Sequence, residues 1–143
     1  MIALDTNLLV HAHRRDASLH KKTMSSIGYL AEAPRPWAIC YHSLIEFYGI
    51  VTQPRIWREA STAQQAIDQI HAWKESPTLR ILSDTGASLE ILEGLLLRGK
   101  VQASLVHDAR IAACCLSHGV QELWTVDRDF SRFPELKVRN PLV

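Results

Sequence analysis

Short apolar runs alternating with stretches of helical periodicity constrain this chain more than any other feature of it. Ile2-Ala3-Leu4, Trp37-Ala38-Ile39-Cys40, Leu79-Arg80-Ile81-Leu82 and Leu123-Trp124-Thr125-Val126 are each too short for a buried helix and are bounded by polar or turn-forming residues, as strands are. Between them the period changes. An apolar pattern resumes at Leu8-Leu9-Val10 directly after Asp5-Thr6-Asn7, and a second helix is expected from Ser18 to Glu32, stopped by Pro34 and Pro36. Leu44, Phe47, Tyr48 and Val51 share one helical face, as do Ala63, Ala66, Ile67, Ile70 and Trp73. Leu89, Leu92 and Leu96 carry a further helix to Gly99, and Leu105 to Ser117 forms the last, followed by Gly119. Lys137-Val138-Arg139 is expected to add a short final strand. Strands alternating with helices imply an α/β fold: a mainly parallel sheet of four to five strands, covered by helices. No linker or repeat divides the 143 residues, so 1–143 is expected to be a single domain.

Composition excludes several classes. Hydrophobic residues make up 47% and charged residues 22%, an ordinary balance for a globular protein. No apolar run approaches the ~20 residues of a membrane span, and no basic segment precedes an apolar one at the amino terminus, so neither membrane nor export is expected. Cys40, Cys114 and Cys115 are odd in number and lack metal-site spacing, which suits free core thiols in a reducing cytoplasm. Seven histidines raise the question of zinc, but His11 and His13 form only H-x-H and no H-E-x-x-H occurs, so zinc is not expected. A formal net charge of +1 does not by itself advertise nucleic acid; a local basic patch would be needed.

The acids carry the chemical signal. Asp5 ends the first run, Glu46 opens the helix after the second, Asp108 stands near the start of the last helix, and Asp127 and Asp129 follow the fourth run. In a parallel sheet, the ends of strands and the starts of the following helices can share one edge, which is where such folds bind ligands. Each acid alone has a simpler role: Asp5 as a helix cap, Glu46 in a capping box with Ser43, Asp108 against a helix dipole, Asp127 and Asp129 in a turn. Their recurrence at every such position is not explained that way. Several carboxylates at one edge raise one another's pKa and call for a hard divalent cation, Mg2+ or Mn2+. Such a site suits hydrolysis of a phosphodiester by a metal-activated water.

The same residues match a known family. The chain resembles PIN-domain ribonucleases, and in particular the VapC toxins of bacterial toxin–antitoxin pairs, through Ile2–Val10, Ser43–Phe47, Val106–Ala113, Leu123–Phe133 and the tail Val138–Leu142. The resemblance implies a PIN-like three-layer α/β/α sandwich and an Mg2+- or Mn2+-dependent endoribonuclease that cuts structured RNA such as tRNA or rRNA. It makes Asp5, Glu46, Asp108 and Asp127 the acidic quartet, with Asp5, Asp108 and Asp127 as metal ligands, and gives Thr6 and Asp129 supporting positions. It further implies a homodimer and a VapB-like antitoxin that lays a helix or arm into the acid-lined groove. Arg14, Arg110, Arg128 and Arg132 are the cations expected to offset the acids toward an RNA backbone, and Trp57 is a candidate for stacking or core packing. Two rivals stay open: a non-catalytic PIN module that only binds RNA, and a small-molecule phosphatase, which lacks its Asp-x-Asp pair here because the stretch reads Asp5-Thr6-Asn7.

Overall fold

The computed structural model describes residues 1–143. In chain order the elements are β1 (Ile2–Leu4), α1 (Thr6–His13), α2 (His20–Glu32), β2 (Trp37–Cys40), α3 (Tyr41–Val51), α4 (Ala63–Lys74), β3 (Leu79–Leu82), α5 (Ser88–Arg98), α6 (Val106–Ser117), β4 (Glu122–Trp124) and β5 (Val138–Arg139). The five strands form one sheet in the order β3-β2-β1-β4-β5, and every neighbouring pair is parallel. β1 is therefore central. Leu4 is aligned with Ile39 on one side and with Trp124 on the other.

Alternation along these strands divides the core into two halves. Ala3, Ala38, Cys40 and Leu123 point to one face, where they meet the apolar sides of α5 and α6. Leu4, Trp37, Ile39 and Trp124 point to the other, under α1 to α4. The first face is lined by small residues on both partners, Ala3 and Ala38 from the sheet and Ala109, Ala112 and Ala113 from α6, all but fully buried. Small side chains let α6 lie close to the sheet. The second face is filled by larger groups, among them Phe47 edge-on to Trp73 with ring centroids 5.0 Å apart. Helices on both faces complete the three-layer sandwich.

Most expected boundaries lie within two residues of those observed, and the differences have local causes. α3 starts at Tyr41 rather than Leu44, because β2 runs straight into it and Cys40 serves as N-cap without a side-chain hydrogen bond. Ser43 consequently sits inside the first turn, its hydroxyl buried and unpartnered, and the Ser43–Glu46 capping box, the simpler role open to Glu46, does not form. β4 ends at Trp124 instead of Val126. Thr125 makes one more backbone bond, donating its N–H to Arg139 O at 3.0 Å, before the chain turns into a 3-10 helix over Arg128–Arg132 that the periodicity did not suggest. Gly119 just past α6 adopts φ +68, the left-handed conformation glycine accommodates after a helix. No helix is long and apolar enough to cross a membrane.

Candidate active site

Asp5 is the first residue beyond the central strand. Its backbone N–H donates to Trp124 O at 2.9 Å, extending the β1–β4 ladder by one step, and its side chain caps α1. The residue is only 4% exposed. Oδ1 accepts from the Thr6 N–H at 2.7 Å, and Oδ2 accepts from the buried Thr125 hydroxyl at 2.7 Å. Burial pushes the Asp5 pKa up to about 7; the two hydrogen bonds oppose that rise, while the charges of Asp108 and Asp127 add to it.

The other acids arrive from three elements. Glu46 projects from α3, and its Oε1 accepts the Thr6 hydroxyl at 3.0 Å. Asp108 lies in the first turn of α6. Burial first, then the negative charges of Asp127, Glu46 and Asp129, push its pKa up to about 6. Asp127 caps the 3-10 helix, and its Oδ1 accepts the Asp129 N–H at 2.8 Å. Asp5, Glu46, Asp108 and Asp127 line one cleft of about 260 Å³ together with Thr6 and Asn7. Asp129 does not line it, but can bring an oxygen within 4.8 Å of oxygens of Asp108 and Asp127. A larger open cleft of about 970 Å³ is lined by residues such as His13, Arg14, Ser61 and Gln69 and by none of the quartet. Its size does not outweigh the convergence of carboxylates in the smaller one.

Two residues of this arrangement were missed in the sequence. Thr125 spends its single proton on Asp5, so its oxygen accepts from the Asp127 N–H at 3.0 Å and from Asn7 Nδ2 at 3.4 Å. That fixes the Asn7 amide with its nitrogen toward Thr125, and it leaves Asn7 Oδ1 buried without a partner in the wall of the cleft. A hydroxyl two positions before Asp127 is the one signal the sequence carries, and nothing in the spacing aims Thr125 at Asp5.

These donors fit a hard divalent ion. They are all oxygens, burial and then neighbouring negative charge raise the pKa of two of the carboxyls toward neutral pH, and Asn7 Oδ1 is an orphaned acceptor suited to a water in the ion's shell.

The basic residues divide. Arg110 is half-exposed, paired with Asp84 at 2.8 Å and set 3.2 Å from His42 Nδ1. Arg128 is exposed, and Arg132 is exposed with NH1 donating to Gly99 O at 3.2 Å. Arg14 requires a correction. Its guanidinium is buried, bidentate to Asp16 at 2.9 and 2.7 Å, bonded to Glu59 O at 2.8 Å and laid 4.4 Å over the Trp57 ring. It is spent on its own chain and is not at the acid cleft. Trp57 is occupied likewise, its Nε1–H donating to Ile50 O at 3.0 Å.

Known proteins resemble this chain along nearly its whole length. Ribonuclease VapC48 of Mycobacterium tuberculosis is 23% identical over 137 residues, 96% of this chain and 94% of that one. Ribonuclease VapC43 of the same organism is 28% identical over 142 residues, covering 99% and 96%. Among solved structures, M. tuberculosis VapC20, described as a sarcin–ricin loop cleaving toxin, superposes with a TM-score of 0.72 at 21% identity, covering 98% of this chain and 100% of that one. VapBC2 from Rickettsia felis, bound to a DNA fragment from its promoter, gives 0.72 at 20% identity, covering 98% of each. Residues 2–136 match the PIN domain, and the chain belongs to the PIN-domain family.

Proposed function

We propose that this protein is an Mg2+- or Mn2+-dependent endoribonuclease, the toxin of a toxin–antitoxin pair. The observation that carries the reading is the convergence of four carboxylates from four separate elements on one cleft, with Asp5 almost sealed from water. When bound, a divalent ion supplies Lewis acidity: it activates water and offsets the charge that builds on a scissile phosphodiester. Asp5, Asp108 and Asp127 are the residues that would hold it. Thr125 and the Thr6 N–H fix both oxygens of Asp5, so its carboxylate needs no reorganisation when an ion arrives. Thr6 Oγ1 holds Glu46 toward the cleft, and the Asp129 N–H holds Asp127. Arg110, Arg128 and Arg132 are the cations proposed to meet the RNA backbone outside the carboxylates.

Its RNA substrate, a homodimeric state and a VapB-like antitoxin partner complete the proposal. Support for the antitoxin comes from solved neighbours described as complexes, among them VapBC of Salmonella typhimurium and a toxin–antitoxin complex of Klebsiella pneumoniae. The deciding experiment compares cleavage of a structured RNA by the wild type and Asp5→Ala, with Mg2+ and with EDTA. Cleavage that is lost in the variant and in EDTA supports the reading. Binding without cleavage in every condition points to an RNA-binding module, and equal activity in every condition removes the metal mechanism.

A further inference from the structure

Glu46 also belongs to a second cluster, built across α3 and α6. His42 stands one helical turn before Glu46, and His107 directly precedes Asp108. The two imidazoles meet edge to edge, with centroids 5.3 Å apart and planes 20° from parallel. His42 Nε2 lies 3.2 Å from His107 Nδ1 and 3.8 Å from Glu46 Oε1, and one ligand atom from each of the three residues falls within 4.8 Å of the others. No spacing motif advertises the cluster, because its histidines are 65 residues apart on different helices.

The hydrogen-bond partners fix the protons. Arg110, which can only donate, sets NH1 3.2 Å from His42 Nδ1, so that nitrogen presents its lone pair and the ring proton is on Nε2. That proton points into the space between His107 Nδ1 and Glu46 Oε1. One proton thus occupies a position faced by two ring nitrogens and a carboxylate oxygen, a set of donors that can equally take a metal ion.

We propose that His42, Glu46 and His107 form a second divalent-metal site, selective for a borderline ion such as Zn2+, Co2+ or Ni2+, which adjoins the carboxylate cleft and shares Glu46 with it. The nitrogen–nitrogen distance of 3.2 Å is close to the edge of about 3.3 Å expected between two ligands of a tetrahedral ion with bonds of about 2.0–2.1 Å. The nitrogen-to-oxygen distance is wider, and a small rotation of the Glu46 carboxylate closes it. Two imidazoles favour such ions over Mg2+, which prefers an all-oxygen shell. His107 is exposed, which gives an ion an entry path. Coordination through His42 Nε2 moves that ring's proton to Nδ1, opposite the donors of Arg110. The Arg110–His42 contact must then open, while the guanidinium keeps its 2.8 Å pair with Asp84. A further consequence rests on the ribonuclease reading: an ion that holds Glu46 withdraws it from the carboxylate cleft, so Zn2+ should oppose Mg2+-supported cleavage.

The test uses Co2+ as the probe, titrated into the full chain in excess Mg2+ and followed by its visible d–d absorption. The wild type should show one saturable band. His107→Ala and His42→Ala should each weaken Co2+ binding at least tenfold, whereas Asp108→Asn and Asp127→Asn should leave it within about threefold. His107 is exposed, so His107→Ala tests the site without disturbing the core. Undiminished Co2+ binding in His107→Ala overturns the proposal, as does a band lost in Asp108→Asn yet kept in His107→Ala, which would place the ion in the carboxylate cleft. The absorption readout is independent of RNA cleavage, so failure of the ribonuclease reading leaves this result interpretable.

Discussion

Asp5→Asn should make the metal-free protein more stable while abolishing its activity, and the gain should depend on pH in a defined way. Asp5 binds its proton with a pKa of about 7 in the fold against an ordinary value of 3.8. Between those values the folded chain holds more protons than the unfolded one, so stability falls as pH rises through the window and levels off above it. At about 1.4 kcal/mol per pH unit, ionising Asp5 costs the metal-free fold about 4 kcal/mol by pH 8. An amide resembles the protonated carboxyl in offering Thr6 and Thr125 one acceptor and one donor. Its second hydrogen is an extra buried donor, which takes back about 1–2 kcal/mol. The net expectation at pH 8 is about 2–3 kcal/mol in favour of the variant, which raises Tm by roughly 5–10 °C for a chain of this size. At pH 4 Asp5 is protonated in the fold and only the cost of the amide's extra donor remains, so the variant should be less stable there by about 1–2 kcal/mol. Thermal unfolding by circular dichroism in EDTA, for both proteins from pH 4 to 8, measures this directly. Tm values that run parallel across the range would show that Asp5 is not the strained group described above. Saturating Mg2+ should then stabilise the wild type at pH 8 and leave Asp5→Asn nearly unmoved.

Three further outcomes follow from the same contacts. Mg2+ affinity should rise with pH through about 6 to 7, because Asp5 and Asp108 must release protons to bind it; calorimetry in buffers of different ionisation enthalpy counts the protons released. Thr125→Val removes the hydroxyl that serves Asp5 and Asp127 while keeping the side-chain shape, and should weaken Mg2+ binding by roughly ten- to hundredfold, given about 1.5–3 kcal/mol for a hydrogen bond to a charged group. Unchanged binding in that variant would remove Thr125 from the site. Arg14→Ala should lower stability by about 1–2 kcal/mol, since it uncovers the Trp57 ring and removes the hydrogen bonds to Glu59 O and Ser61 Oγ, yet cleavage per folded molecule should stay at the wild-type level. A selective loss of RNA affinity there would restore Arg14 as a substrate contact.

Strand identities were legible because period and length decide them: Ile2–Leu4, Trp37–Cys40 and Leu79–Leu82 coincide with β1, β2 and β3. Placement of the acids at element ends was legible for the same reason, since Asp5, Asp108 and Asp127 each stand next to a change of period. What sequence spacing could not supply is lateral order. Only the β2-β1-β4 arrangement brings Thr125 against Asp5, and nothing local to either residue encodes it. The fate of a long side chain was equally hidden: Arg14 and Arg110 look alike in sequence, yet one is laid over the Trp57 ring and the other stands half-exposed, paired with Asp84. The Ser43–Glu46 spacing fits a capping box, but a capping box requires Ser43 to precede the helix, and the abrupt junction at Cys40 places it inside.

The pairing of β1 with β4 has a consequence in time as well as in space. Asp5 receives its hydrogen bond from Thr125, 120 residues further along the chain, and β4 is the strand that seats both Thr125 and Asp127. A nascent chain that has emerged only as far as α5 has Asp5 and Glu46 but neither Asp108 nor Asp127, and its central strand lacks one neighbour. The carboxylate cleft is therefore among the last features assembled during synthesis, and chains truncated before residue 127 carry no complete cleft. Such an unfinished chain thus lacks half of the carboxylates proposed to serve RNA cleavage.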